Sequence, residues 1–274
     1  MLRKIVNAIV RNLLAWIISL ISIVPLLLIL FNSLKTSLKA SDMNLSLPSL
    51  PLQWGNFKEV IEQGKLIASF ANSCIYTVGS VFICCILSSL AAYVLSRNRS
   101  KLAKFIYLFM VLGITMPVNY VALVKVMIFL NLNDTRLGII LLYAAMQIPF
   151  SVFLIYSFIA KIPVELDEAG IIDGCSPIRL FMTIVFPLLK PAVATVIVLT
   201  FLNNWNEFIA PLYFLSSSTK WPMTLSVYNF FGMYFKDWNM VCADIVMTSI
   251  PVILIYLLGQ KYIVSGMTAG AVKG

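Results

Sequence analysis

The sequence predicts an all-α fold, a polytopic transmembrane helical bundle, and three observations lead there. Of 274 residues, 61% are hydrophobic and 11% charged, whereas soluble domains carry roughly 45–50% apolar and about 25% charged residues. The apolar residues gather into runs of about 20, the number that crosses ~30 Å of hydrocarbon at 1.5 Å per helical residue. The stretches between runs are short, so no sizeable water-soluble domain fits and residues 1–274 read as a single membrane domain.

Six spans follow in order. The first, 13–31, comes after Arg3, Lys4 and Arg11; it exceeds a signal-peptide apolar core and no small-x-small cleavage pattern follows, so it reads as a retained anchor. The others are 70–95, 105–130, 137–160, 192–215 and 245–262. Each is expected to be helical, because in hydrocarbon a helix satisfies every backbone group internally. An even number of spans puts both termini on one side. Cytoplasmic loops carry an excess of Lys and Arg, and the tight loop Arg97-Asn98-Arg99-Ser100-Lys101 sets the orientation: both termini are expected in the cytoplasm. Pro25, Pro117, Pro149, Pro211 and Pro251 fall inside spans, where each removes a backbone donor and favours a kink.

Between the fourth and fifth spans, on the predicted cytoplasmic side, residues 162–187 are too polar and too patterned for a plain connector. Pro163 suits a first helical position, Gly174 a C-terminal cap, and Ser176-Pro177 an N-cap followed by Pro at the first position of a second helix. The segment reads as helix, turn, helix. Val164, Glu168 and Ile171 share one helical face, a carboxylate among aliphatics, and Leu166, Ala169 and Gly170 line another. Such a helix either plugs into a groove of a partner or packs on its own bundle.

Several chemistries are excluded. There is no histidine, which removes H-E-x-x-H zinc sites, His-assisted nucleophiles and imidazole relays. Cys74, Cys84, Cys85, Cys175 and Cys242 show no C-x-x-C spacing, so no metal site or disulfide framework is indicated. No G-x-x-x-x-G-K-[ST] phosphate loop occurs. The net charge of +9 comes from Lys and Arg flanking the spans, which points to lipid headgroups and away from nucleic acid.

Within the fifth span, Glu207 is the outstanding ionisable residue. With Asn203, Asn204 and Asn206 it forms a polar patch that serves either as a translocation-path wall bonding sugar hydroxyls or as an interhelical clamp. Lys125 near a span end suits snorkelling to headgroups. Asp134 and Asp244 sit at span boundaries, where solvation is expected. The aromatic segment Trp221 to Trp238, with Tyr228, Phe230, Phe231, Tyr234 and Phe235, fits an interfacial belt or a docking surface.

Glu168-Ala169-Gly170, three residues, Gly174, nine residues, then Ile184-Val185-Phe186-Pro187 resembles the E-A-A-x3-G-x9-I-x-L-P signature of the integral-membrane subunits of ATP-binding-cassette importers. Gly170 replaces the third-position alanine and Phe186 the leucine; both keep the physical class. Asn204-Trp205-Asn206-Glu207-Phe208 with Ala210-Pro211-Leu212, and the tail Gly266 to Gly274, are similar to segments of the carbohydrate branch that contains the maltose permease subunits, the second of those subunits being the nearer match.

The resemblance implies that Glu168, Ala169, Gly170, Gly174, Ile184 and Pro187 form a coupling loop seated on an ATPase. It further implies that the tail, 263–274 with Gly270 and Lys273, reaches toward the paired ATPases. It implies a second homologous permease subunit, two ATPase subunits that hold ATP and Mg, an extracellular or periplasmic solute-binding protein, and residence in a bacterial cytoplasmic membrane. No cofactor is expected on this chain and no enzymatic activity. The alternative, a self-contained ion-coupled transporter or channel, usually shows inverted repeats and midplane ionisable pairs, neither of which is apparent. A membrane enzyme has too thin an acid–base inventory here.

Overall fold

The computed structural model describes residues 2–231 and 237–271, and among them the chain is helical with no β-strand. The elements run α1 (Leu2–Ser33), α2 (Ser37–Ala40), α3 (Gly55–Gln63), α4 (Leu66–Arg97), α5 (Lys101–Thr115), α6 (Tyr120–Phe129) and α7 (Arg136–Ile159). They continue with α8 (Glu165–Ile172), α9 (Pro177–Leu180), a π-helical segment Phe181–Val185, α10 (Phe186–Leu188), α11 (Lys190–Trp205), α12 (Ile209–Phe214), α13 (Met223–Ser226) and α14 (Trp238–Ala271). Local chemistry starts several of them. Ser100 and Thr135 cap α5 and α7, their hydroxyls accepting from the N–H groups of Ala103 (3.1 Å) and Gly138 (2.9 Å).

Six unbroken spans are not what the fold contains. Among the described residues four helices are long and apolar enough to cross a bilayer, Ile9–Ser33, Leu66–Arg97, Arg136–Ile159 and Trp238–Ile263; Pro177–Leu188 and Lys190–Trp205, bent by 77°, add a fifth if taken as one crossing. Two expected spans are interrupted. In 105–130 the helix stops at Thr115 and Met116 is extended (ψ 128°), because the residue before proline is pushed out of the helical region. Asn119 then starts α6 by accepting from the Ala122 N–H at 3.0 Å.

In 192–215 the helix stops at Trp205, and Pro211 supplies the reason. In a continuous helix its ring would collide with the Glu207 carbonyl, and its missing N–H would leave that carbonyl unpaired. Here the Glu207 carbonyl instead accepts from Thr224 Oγ1 at 3.0 Å and from the Tyr143 hydroxyl at 3.5 Å. Pro25, Pro149 and Pro251, by contrast, lie within continuous helices.

The chain divides into two compact units, Met1–Ile67 with Ser226–Ile250, and Ala68–Leu225 with Pro251–Gly274. The first is held at one end of α1 by buried amides. Asn56 donates through Nδ2 to the carbonyls of Ser33 (2.7 Å) and Lys35 (2.9 Å), satisfying acceptors that a helix end leaves unpaired. Asn239 donates to Asn56 Oδ1 at 3.0 Å. Lys35 is buried and donates to Asn32 Oδ1 (3.1 Å) and to Asn44 Oδ1 (2.9 Å). That burial holds its ammonium pKa below the ordinary lysine value. Asp244 is also buried, taking the Ser226 hydroxyl at 2.7 Å, so its expected solvation at a span boundary is corrected.

The second unit packs two apolar clusters. One joins Val152, Ile155 and Ile159 of α7 to Phe181, Val185, Leu189 and Val196; the other joins Tyr76, Ile139 and Tyr143 to Phe214. Without a hydrophobic drive between helices in lipid, such clusters depend on close packing and interhelical hydrogen bonds. Gly259 shows how close: a Cβ there would lie 2.6 Å from Val198 Cγ1. Beside it, Thr195 Oγ1 donates to the Tyr262 carbonyl at 2.8 Å.

Candidate functional site

Two sites grow from the second unit. The first is the helix pair α8 and α9. Helix α8 begins at Glu165, two residues after Pro163, with Glu168 and Asp167 donating to the Val164 carbonyl at 3.1 and 2.9 Å. Glu165, Asp167 and Glu168 all lie in its first turn, where the helix dipole favours negative charge. It ends on Gly174, whose φ of +76° is the left-handed conformation that glycine adopts without steric cost. Gly174 donates to Ile171 O and Cys175 to Gly170 O, both at 3.0 Å, closing the helix end. Ser176 restarts the chain as the cap of α9.

The buried face of α8 is Asp167 and Gly170. Gly170 lies against the terminal methyls of Leu180 and Ile184, which would have to turn away from a Cβ there. Asp167 Oδ2 accepts from Arg97 Nε at 2.6 Å, and Arg97 also donates to the Ile162 carbonyl at 3.2 Å. The end of α4 and the start of α8 are thus tied by a largely buried ion pair. Neither residue stood out in the sequence as a site: Arg97 read only as a charge-bias signal, and Asp167 lies seventy residues away. The opposite face is free. Glu168 and Ala169 are exposed, and Ile171 and Ile172 are 64% and 85% exposed. Of the remaining predicted coupling residues, Ile184 is half-buried and Pro187 exposed.

The second site is the broken fifth segment, and the four polar residues predicted there separate. Asn204 is buried and donates to Ser80 Oγ of α4 at 2.8 Å, an interhelical bond. Asn203 is exposed and donates to Gln147 Oε1 of α7 at 3.2 Å. Asn206 turns back to its own helix, donating to Leu202 O at 2.8 Å. Glu207 Oε1 accepts from the Ala210 N–H at 2.9 Å, which makes the carboxylate the cap of α12. Its place is therefore in the break between α11 and α12 and not within a continuous span helix.

Beside Asn203 lies a groove of about 400 Å³ bordered by Met116, Val118, Gln147, Phe150 and Leu199. No sequence pattern marked Gln147. At the start of α7, Lys220 donates to Asp134 Oδ2 at 2.9 Å and holds that carboxyl pKa below its ordinary value. Among the described residues no group of three His, Cys, Asp or Glu could hold a metal ion. Gly270 falls in the last turn of α14, while Lys273, Tyr234 and Phe235 lie outside the described residues.

Comparison with known proteins gives three concordant findings. The model of a family described as binding-protein-dependent transport system inner membrane component matches residues 84–269. The chain is similar to a probable starch degradation products transport system permease protein of Thermoanaerobacterium thermosulfurigenes, 35% identical over 258 residues and covering 94% of each chain. It is also similar to a melibiose/raffinose/stachyose import permease protein of Bacillus subtilis, 33% identical over 266 residues and 96% of each. A crystal structure of a bacterial ABC transporter involved in import of the acidic polysaccharide alginate contains a chain of the same fold, with TM-score 0.82 and 24% identity over 94% of this chain and 96% of that one.

Proposed function

Since the chain belongs to the binding-protein-dependent transport system inner membrane component family, we propose that it is the permease subunit of an importer for a carbohydrate. It is a transport protein of the membrane, not an enzyme. It pairs with a second homologous permease to line the translocation path, receives its solute from an extracellular or periplasmic binding protein, and is driven by two separate ATPase subunits that hold ATP and Mg. The sugar class rests on relatives whose names specify starch degradation products and melibiose, raffinose and stachyose.

In this reading the chain crosses the bacterial cytoplasmic membrane six times, the third and fifth crossings being broken helices, with both termini and α8–α9 in the cytoplasm. The coupling role is supported by one observation above others. Helix α8 is fixed on its buried face by Asp167, Gly170, Leu180 and Ile184, yet presents Glu168, Ala169 and Ile171 to solvent. A partner gripping that exposed face moves α4 and α11 with it, through the Arg97 pair and the π-helical seat. Gly174 shapes the turn, and the tail with Gly270 and Lys273 extends toward the ATPases. Asn204 clamps α11 to α4, a bond worth on the order of 0.6–2 kcal/mol, while Asn203, Asn206 and Glu207 border the path.

The test is uptake of radiolabelled raffinose and maltotriose into proteoliposomes containing ATP. The complete complex with its binding protein is expected to accumulate one of them. Accumulation by this chain alone, or none by the complete complex, would overturn the proposal.

A further inference from the structure

We infer that the groove between α5, α7 and α11 is a water-filled stretch of the path in which Gln147 and Asn203 bind hydroxyl groups of the carried solute. The inference rests on the importer reading above and adds the place and chemistry of a solute contact. Gln147 is midway along α7 (Arg136–Ile159), which puts its amide near the centre of the bilayer. The Asn203–Gln147 pair is joined by one bond of 3.2 Å at the exposed surface of this chain. An amide has two donors and an acceptor with two lone pairs, so that one bond leaves capacity that hydrocarbon cannot meet, and unmet polar groups in an apolar medium are costly.

The backbone says the same. The groove is bordered by Met116 and Val118, residues of the non-helical break between α5 and α6. Irregular backbone at membrane depth is tolerated where protein buries it or where it lines a water-filled cavity. Here it opens onto the groove, so lipid is the wrong neighbour.

The walls fit a particular occupant. At about 400 Å³ the groove falls in the range of roughly 300–1,000 Å³ typical of small-molecule sites. Met116, Val118, Phe150 and Leu199 make it apolar, and the amide pair is its polar feature. A sugar presents apolar C–H faces and a rim of hydroxyls, each both donor and acceptor, so a ring lying on the apolar wall brings hydroxyls to the amides. Among the described residues no charged side chain borders the groove, so the hold is weak. Passage requires binding that is favourable enough to enter and weak enough to leave.

The test uses the complete complex in proteoliposomes. Gln147→Cys and Asn203→Cys are treated with the membrane-impermeant 2-sulfonatoethyl methanethiosulfonate. Phe109→Cys, 67% exposed on α5, serves as the lipid-facing control, and the parent's own cysteines set the background. Both groove sites are expected to label at least tenfold faster than the control, and saturating transported sugar is expected to slow them severalfold. In parallel, Gln147→Leu is expected to lower maximal uptake about fivefold, as for one lost hydrogen bond, with complex yield unchanged and partial recovery in Gln147→Asn.

Labelling no faster than the control would mean that lipid or a helix of the partner permease fills the groove. Labelling that sugar does not slow, or unchanged uptake in Gln147→Leu, would remove the solute contact. Either result overturns the inference while leaving the importer reading intact. Absence of uptake by the unmodified complex sinks the importer reading instead.

Discussion

The α8–α9 joint and the broken segment around Glu207 solve opposite problems with similar parts. At the joint a left-handed glycine, a serine cap and a buried ion pair fix one helix firmly while leaving its other face bare. At the break a proline and a capping glutamate let a helix end early, and one turn before it Asn203 and Gln147 put their amides on the wall of a groove. Rigidity at the first site and irregularity at the second are both built from capping chemistry. What differs is what each leaves open, a bare helix face at the joint and, beside Asn203, a groove near the break. A rigid handle and a hydrated path are what an externally driven permease requires.

Substitutions can break this contrast, and the largest effect belongs to the joint. Asp167→Ala leaves the largely buried Arg97 guanidinium without its carboxylate, so thermal unfolding of the purified complex should register a loss of about 3–5 kcal/mol. Asp167→Ala with Arg97→Ala should cost less than the two single changes added together. A double mutant that is simply additive would mean the two side chains do not share the load.

Gly174→Ala comes next. Among the described residues nothing lies within 4 Å of the position its Cβ would occupy, so only backbone conformation is at stake, about 1–2 kcal/mol for a left-handed residue. Gly174→Asn should be milder. Equal stability of the alanine variant would show that the turn relaxes to a different shape.

At the break, Glu207→Leu removes the cap of α12 and should cost about 1 kcal/mol, while Glu207→Gln keeps an acceptor and should cost little. A large loss in the glutamine variant would instead assign the negative charge a role of its own.

The smallest effect is the half-buried ion pair Lys220–Asp134, whose side chains are 31% and 33% exposed and whose contribution is below about 1 kcal/mol. Because the folded-state carboxyl pKa lies below its ordinary value, that contribution is present above the ordinary aspartate range, about pH 4, and fades as pH falls through the lower folded value. The melting-temperature gap between the parent and Asp134→Asn should therefore narrow on acidification. A gap that widens would contradict the assignment.

The joint was legible in the sequence because its determinants are local. Gly174, Ser176 and Pro177 speak for themselves over four positions, and the boundary error at Pro163 amounts to two residues. The apolar runs located the four helices long enough to cross a bilayer but hid the interruptions within 105–130 and 192–215. Pro117 and Pro211 were visible as kinks; that Pro211 ends a helix depends on Thr224 and Tyr143 being in place to take the Glu207 carbonyl, and no local pattern reports them.

Long-range pairing also hid the buried charges. Asp244 reads as a solvated boundary residue and Arg97 as a charge-bias signal, yet Asp244 is buried against Ser226, 18 residues away, and Arg97 pairs with Asp167, 70 residues away. Gln147 carries no motif at all and acquires meaning only from Asn203, 56 residues along the chain.

The central claim is that this chain has no engine of its own and takes force through the exposed face of α8. Its most direct measurement is sugar accumulated per ATP hydrolysed by the complete reconstituted complex carrying Glu168→Lys, a change on an exposed side chain that leaves the buried seat untouched. The account predicts that accumulation and sugar-stimulated hydrolysis both fall at least tenfold while the chain still inserts and pairs with the second permease. Accumulation per ATP equal to that of the parent would contradict it.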